Sequence, residues 1–192
     1  MTALLAHSNR VATRIVGTTT VTGTIYDPSG YPLAGIEIRL YDGGPADGSL
    51  VETTTTDDAG RYRFAKVLTD GTDHYRFEAD DLTGNHVYAC SGSFVTEAGV
   101  PTTQDLTMKA AGVIRGKVTS SHAVLVTADS KTTGGEVTVS ANGTFRLGGL
   151  PAGTYIVNFV DLVESQCKGQ TTVKVVAGQT ATLKARTLSK VA

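Results

Sequence analysis

The chain has 192 residues, of which 40% are hydrophobic and 6% aromatic, and it contains no tryptophan. Thirty threonines and 21 valines make up more than a quarter of it, and β-branched side chains favour strands over helices. Charged residues reach only 18%, with a formal net charge of −1 at pH 7. The composition therefore predicts an all-β protein that lacks both the basic patch of a nucleic-acid binder and the long apolar run of a membrane span.

Residues 1–19 precede the first predicted strand and resemble nothing later in the chain. Their apolar side chains include Leu4, Leu5, Val11 and Ile15. A signal peptide needs a basic start and an apolar stretch of roughly 7 to 15 residues, and this segment has neither. We predict instead an extended N-terminal arm whose four apolar side chains dock on a partner.

Residues 20–110 alternate apolar and polar side chains in short runs that are separated by turn residues. Ile36, Ile38 and Leu40, for example, share one face, as in a half-buried strand. Turns are predicted at Pro28-Ser29-Gly30 and Asp57-Asp58-Ala59-Gly60. The pattern predicts seven strands, at 20–27, 34–42, 50–56, 61–66, 73–80, 86–96 and 103–109.

Residues 111–192 repeat this plan. The turn at Gly143 follows the turn at Gly60 by 83 residues, which suits a sandwich domain. Strands are predicted at 112–119, 122–128, 135–140, 144–148, 153–161, 170–177 and 180–187. We therefore predict an all-β fold of two tandem Ig-like or transthyretin-like β-sandwich domains, residues 20–110 and 111–192, that follow the arm.

Two segments of the first domain, Asp27 to Ile38 and Thr55 to Phe64, resemble the carboxypeptidase-regulatory-like, or transthyretin-like, domain, a relative of the collagen-adhesin B repeat. The resemblance covers residues 20–109, and the second domain keeps only its Gly143-Thr144-Phe145 and Leu150 to Tyr155 parts. It implies a spacer, stalk, adhesin or accessory module. Collagen-adhesin B repeats often carry a Lys–Asn isopeptide bond. The first strand, Val21 to Tyr26, has no lysine for it, and the candidate Lys117 has no asparagine in Thr180 to Ala185.

No group of residues has the spacing of a catalytic, cofactor or metal site, so we predict that the protein is not an enzyme and needs no cofactor. His86 and Cys90 would lie on one face of a strand but about 13 Å apart, too far for a nucleophile–base pair. Cys90 and Cys167 are predicted to be free, buried thiols. The pairs Asp57-Asp58 and Asp80-Asp81 lack the further oxygen ligands of a calcium loop.

The leading functional hypothesis is a non-enzymatic structural protein of a bacteriophage virion, either a capsid-decoration or an accessory tail protein, that is assembled in the host cytoplasm. Its partners would be the major capsid or tail proteins of the same particle, and further copies of the chain. The alternative is a bacterial cell-surface adhesin or carbohydrate-binding module. Its ligand would be a host-surface glycan that stacks on Tyr26, Tyr31 and Tyr41. Neither hypothesis involves nucleic acid or a membrane.

Overall fold

The computed structural model describes residues 17–43, 48–69, 74–164 and 168–188, which form two β-sandwich domains and contain no helix. The all-β fold class and the tandem sandwich arrangement are therefore confirmed. The arm residues Leu4, Leu5, Val11 and Ile15, as well as Cys167, lie outside the described residues.

The first domain packs two sheets face to face. One sheet has the order β4-β1-β8, with β9 also pairing with β1, and the other has the order β3-β2-β5-β6, with β7 also pairing with β5. The strands are β1 (Gly17–Tyr26), β2 (Glu37–Asp42), β3 (Ser49–Thr55), β4 (Arg61–Thr69), β5 (His74–Asp80), β6 (Ala89–Cys90), β7 (Phe94–Val95), β8 (Thr102–Thr103) and β9 (Leu106–Thr107).

The second domain repeats this architecture. Its sheets have the orders β13-β10-β16, with β17 also pairing with β10, and β12-β11-β14-β15. The strands are β10 (Gly112–Thr119), β11 (Val124–Asp129), β12 (Gly134–Val139), β13 (Thr144–Leu150), β14 (Gly153–Asp161), β15 (Lys168–Val175), β16 (Thr180–Thr182) and β17 (Arg186–Thr187).

Each domain has its own core, formed by the inward residues of the alternating pattern. The first core includes Ile38, Leu40 and Phe77, and the second includes Val157 and Phe159, all of them fully or almost fully buried. Burial of alternate side chains is the principal favourable term for such a sandwich. The two sets of predicted inward faces are therefore confirmed.

The strand predicted at 86–96 is broken into β6 and β7. The hydroxyl of Ser91, between them, accepts the backbone N–H of Phe77 on β5 at 2.8 Å, and the Ser91 N–H donates to the carbonyl of the same residue. A side chain thus takes over part of the strand ladder, which a pattern of apolar residues does not indicate.

The first strand begins three residues earlier than predicted, so Gly17 to Thr19 belong to β1 rather than to the arm. Gly17 and Thr19 pair with Thr69 and Val67 of β4, and the side chain of Thr19 is buried. The threonines at this end of the strand are polar and give no alternation with apolar residues. The sequence pattern therefore places the start of the strand too late.

In both domains a glycine of the first strand lies directly opposite an aromatic residue. Gly23 pairs with Tyr62, and Gly116 pairs with Phe145. Each glycine faces inward, where the ring fills the space that a side chain would take. The glycine is thus a packing requirement of each sandwich, because the aromatic ring covers the bare backbone.

The first and last strands of each domain run parallel. In domain 1, β1 pairs in parallel with β8 and β9, and in domain 2, β10 pairs in parallel with β16 and β17. Parallel neighbours start at the same end of a sheet. The chain therefore enters each domain at one end and leaves it at the other, which places the two domains in series.

A glycine-lined joint connects the domains. The Gly149 N–H donates to the carbonyl of Gly84 at 2.8 Å, and Arg146 Nη2 donates to Asn85 Oδ1 at 3.1 Å. A Cβ added to Gly148 would lie 2.7 Å from the Gly84 carbonyl oxygen. Backbone thus packs on backbone at the joint, which only glycine allows.

Candidate functional site

His86 and Cys90 belong to different environments. His86 Nδ1 lies 2.7 Å from Asp81 Oδ2, whereas Cys90 is on β6 opposite Glu78. Cys90 is a free thiol and is exposed, so its predicted burial is wrong. The reason is that β6 is a short strand at the edge of its sheet, where no further strand covers it.

Cys90 borders a polar network on the outer face of the second sheet of domain 1. Arg76 Nη1 donates to Glu78 Oε1 at 2.7 Å, and the Arg76 guanidinium lies 4.4 Å from the centre of the Tyr41 ring. Burial by itself would raise the pKa of Glu78, but hydrogen bonds from Arg76, Tyr88 and Tyr41 lower it. The charges of Arg76 and Glu78 neutralise each other, although the buried Arg76 Nε has no hydrogen-bond partner among the described residues.

The three tyrosines proposed as a glycan-stacking face do not share one surface. Tyr26 ends β1 in one sheet, Tyr31 lies on the turn that follows, and Tyr41 is on β2 in the other sheet. Tyr31 is 70% exposed, whereas the ring of Tyr41 is covered by Arg76. A single platform built from these three rings is therefore not formed.

The Asp57-Asp58 pair forms a turn. Asp57 Oδ1 accepts the backbone N–H groups of Ala59 and Arg61, each at 2.9 Å, and Gly60 has a φ of 70°. The hydrogen bond from the Arg61 N–H is the main cause of a lowered Asp57 pKa. Asp80 contacts Arg39 at 3.3 Å. Among the described residues no three His, Cys, Asp or Glu side chains are grouped as metal ligands.

Two aspartates, Asp81 and Asp161, organise the loop that follows the equivalent strand of each domain, a role that the sequence did not indicate. In domain 1, Asp81 Oδ1 accepts from the N–H and hydroxyl of Thr83, and Oδ2 contacts the backbone and ring of His86. Burial by itself would raise the pKa of Asp81, but hydrogen bonds from Thr83 and His86 lower it. Asp81 thereby shapes the loop that contacts domain 2.

In domain 2 the corresponding carboxylate is Asp161, which is 2% exposed. Asp161 Oδ2 accepts the Ser120 hydroxyl at 2.6 Å, and Oδ1 accepts the N–H groups of Val163 and Glu164. His122 Nδ1 lies 3.2 Å from Oδ1. The hydrogen bond from Ser120 is the largest cause that holds the pKa of Asp161 well below its usual range.

A hydrolase triad is built from the same three residue types as Ser120, His122 and Asp161. These three side chains, however, are hydrogen-bonded to one another in a different order. In a triad the imidazole stands between the hydroxyl and the carboxylate and takes the hydroxyl proton. Here the carboxylate is in the middle and accepts from both. The arrangement therefore holds two chain segments together and gives Ser120 no activating base.

The titration of Asp161 predicts acid sensitivity of domain 2. Because the fold favours the ionised carboxylate, its contribution to stability is fully present above the unfolded pKa of about 3.9 and is lost as the pH falls toward the folded pKa. Thermal unfolding monitored by circular dichroism should show that Asp161→Asn melts at a lower temperature than the natural protein at pH 7. Between about pH 5 and about pH 2.5, the melting temperature of the variant should change less than that of the natural protein. Parallel pH curves for the two proteins would contradict this role.

The candidate crosslinking lysine of domain 2, Lys117, faces outward from β10 and is exposed. The neighbouring strands β16 and β17 contain no asparagine. Lys117 therefore has no amide partner on the strands that pair with β10.

Equivalent grooves lie on the outer face of the first sheet in both domains. The groove of domain 1 has a volume of about 600 Å³, and its charged lining residues are Asp57, Arg61, Arg63 and Asp105. The groove of domain 2 has a volume of about 560 Å³ and lies over β10, β13 and β16. No helix among the described residues is long and apolar enough to cross a membrane.

Comparison with known proteins finds one similarity at the level of sequence, and it lies in the first domain. Residues 20–109 match the family model of the carboxypeptidase regulatory-like domain. No curated protein shows significant sequence similarity to the chain.

Several solved structures share parts of the fold at low identity. A streptococcal ancillary pilin is 16% identical, with a TM-score of 0.48 over 88% of this chain and 62% of the pilin chain. The Bacillus anthracis TIE protein is 14% identical, with a TM-score of 0.41 over 90% of this chain and 34% of its own. Catechol 1,2-dioxygenase from Pseudomonas arvilla C-1 is 14% identical, with a TM-score of 0.34 over 53% and 54% of the two chains. The chain thus spans less than two thirds of each of these proteins.

Proposed function

We propose that the chain, whose residues 20–109 match the family model of the carboxypeptidase regulatory-like domain, is a non-enzymatic structural protein that spans a distance within a larger assembly. The observation that carries this proposal is the parallel pairing of first and last strands in both domains. It leads the chain through each domain from end to end, as a spacer requires. The titratable clusters described above support the same function, because each of them organises a loop or a sheet face.

A more specific part of the proposal concerns which assembly the protein belongs to. The assembly is a bacteriophage particle, on which the protein is a capsid-decoration or accessory tail protein. In this proposal the arm contacts the major capsid or tail protein through Leu4, Leu5, Val11 and Ile15. Insertion of apolar side chains into a groove, or addition of a strand to a sheet edge, would suffice for such docking.

Deletion of residues 1–16 tests whether the protein docks on a phage particle through the arm. The deletion stops before β1, so both domains should keep their thermal midpoints, whereas co-sedimentation with purified particles of the source phage should be lost. The matched variants are full-length chains in which either the four apolar arm residues or the arm threonines Thr2 and Thr13 are changed to serine. Only the first variant should lose binding, because it replaces four large apolar side chains, whereas the second removes a single methyl group at each of two positions.

Binding that survives the deletion would exclude the arm as the docking element. If neither the full-length nor the shortened protein sediments with particles, the proposal that the protein is part of the virion is wrong. Affinity for a bacterial or host surface glycan would then favour the adhesin function, while the spacer architecture would stand.

A further inference from the structure

Charge is divided unequally between the two domains. Residues 20–110 carry 6 Lys and Arg against 14 Asp and Glu, a net charge of −8, whereas residues 111–192 carry 9 against 4, a net charge of +5. The whole-chain value of −1 conceals this difference. Opposite charge on two halves of one chain produces fields that attract oppositely charged surfaces to each half.

Three of the nine Lys and Arg residues of domain 2 line the groove over β10, β13 and β16, here called the basic groove. It is lined by the cations Arg115, Lys117 and Arg146 and by the hydroxyl-bearing Thr144 and Thr182. All three cationic side chains are exposed. No carboxylate is among the lining residues, so the groove presents one sign of charge over its whole length.

The pairing of strands places like charges against each other in this groove. Arg115 on β10 lies directly opposite Arg146 on β13, and Lys117 follows on the same face. Like charges directly opposite each other destabilise a strand pair. Neither Arg115 nor Lys117 makes an ion pair with another described residue. Arg146 has a structural contact with Asn85 at the joint, but stability of the fold does not explain why Arg115 and Lys117 lie beside it.

The equivalent groove of domain 1 is an internal comparison. There Thr22 and Arg63 occupy the positions of Arg115 and Arg146, and carboxylates line the groove beside the arginines. Asp57 contacts Arg61 at 3.1 Å. The same site is thus neutralised within domain 1, whereas in domain 2 the counter-charge has to come from outside.

We propose that the basic groove binds the acidic first domain of a second copy of this chain. Three of the six cations of domain 1, Arg39, Arg61 and Arg76, are already paired within it. Five of its exposed carboxylates make no ion pair with another described residue; these are Asp42, Glu52, Asp58, Glu97 and Asp105. Contact between unlike domains of two copies forms either a reciprocal pair or an open row. The interaction goes beyond the spacer function and does not involve the arm.

Sedimentation velocity of the full chain tests this self-association. At about 20 mM salt, where exposed charges interact over long distances, dimers or larger species are expected, and at about 500 mM salt they should dissociate. Arg115→Glu combined with Lys117→Glu should weaken the association at least about tenfold at low salt, because opposed charges across an interface become like charges.

The matched control is Lys168→Glu combined with Lys174→Glu on β15. It makes the same change of charge in the same domain but on the other sheet, and it should alter the association by less than about threefold. Circular dichroism would verify that both variants are folded. A monomer at both salt concentrations, or equal weakening by the two variants, would overturn the proposal. A monomer that binds polyglutamate through Arg115 and Lys117 would overturn it too and would identify a foreign acidic partner.

Discussion

Alanine in place of Gly23 is expected to destabilise domain 1 by about 3 kcal/mol or more. The added Cβ would lie 1.9 Å from the carbonyl oxygen of Gln104 and 2.8 Å from Cε1 of Tyr62. The first of these atoms is backbone, held between β8 and β9 by the bond from the Gln104 N–H to the Thr22 carbonyl. The clash can be relieved only by moving β8 and β9 away from β1, which breaks the parallel pairing between them.

Tyrosine fluorescence during urea unfolding measures this effect in the full chain. Six of the seven tyrosines lie in residues 20–110 and only Tyr155 lies in domain 2, so the signal reports mainly on domain 1. Gly92→Ala is the control, because a Cβ there would meet no atom within 4 Å. It should change the free energy of unfolding by less than about 0.5 kcal/mol.

The corresponding change in domain 2 should cost less. A Cβ at Gly116 would meet the ring edge of Phe145 at 2.5 Å, and a side chain can shift where backbone cannot. If Gly23→Ala were no more destabilising than Gly92→Ala, the close contact between Gln104 and β1 would be wrong.

Alternation of apolar residues was sufficient to predict most strands. The segment Gly153–Asp161 occurs as predicted, because Tyr155, Val157 and Phe159 all face one core. Such regular strands are visible in a sequence since burial on one face requires a period of two. The prediction of one strand at 86–96 is wrong at Ser91, where the side-chain hydroxyl replaces a backbone hydrogen bond between strands. Such side-chain hydrogen bonds leave no periodic pattern in the sequence.

The candidate sites were harder to predict for a different reason. Asp161 and its partner Ser120 are 41 residues apart, and their contact follows from the packing of strands that sequence spacing does not encode. The basic groove was missed because charges were summed over the whole chain, where domain 1 cancels domain 2. A sum for each predicted domain would have revealed the asymmetry, although not the pairing of Arg115 with Arg146.

The direction of pulling should strongly affect the force at which domain 1 unfolds. Cysteine handles at Thr18 and Lys109 would load β1 against β8 and β9 along their length. The parallel seam, which includes the bonds Gln104 N–H to Thr22 and Met108 N–H to Tyr26, would then bear load at all of its bonds together. Forced unfolding reports the unfolding rate, which falls when several bonds have to break in one step.

Handles at Thr18 and Val100 supply the comparison. The Gly99 N–H donates to the carbonyl of Thr18 at 3.0 Å, so these handles start at neighbouring points and would peel β8 from β1 one bond at a time. Each such bond contributes only about 1 kcal/mol, and we expect unfolding at less than about half the force measured with the first pair. Both variants would carry Cys90→Ser and Cys167→Ser, so that only the handles react. Equal forces in the two directions would mean that the parallel seam does not resist load, and the spacer function would lose its structural basis.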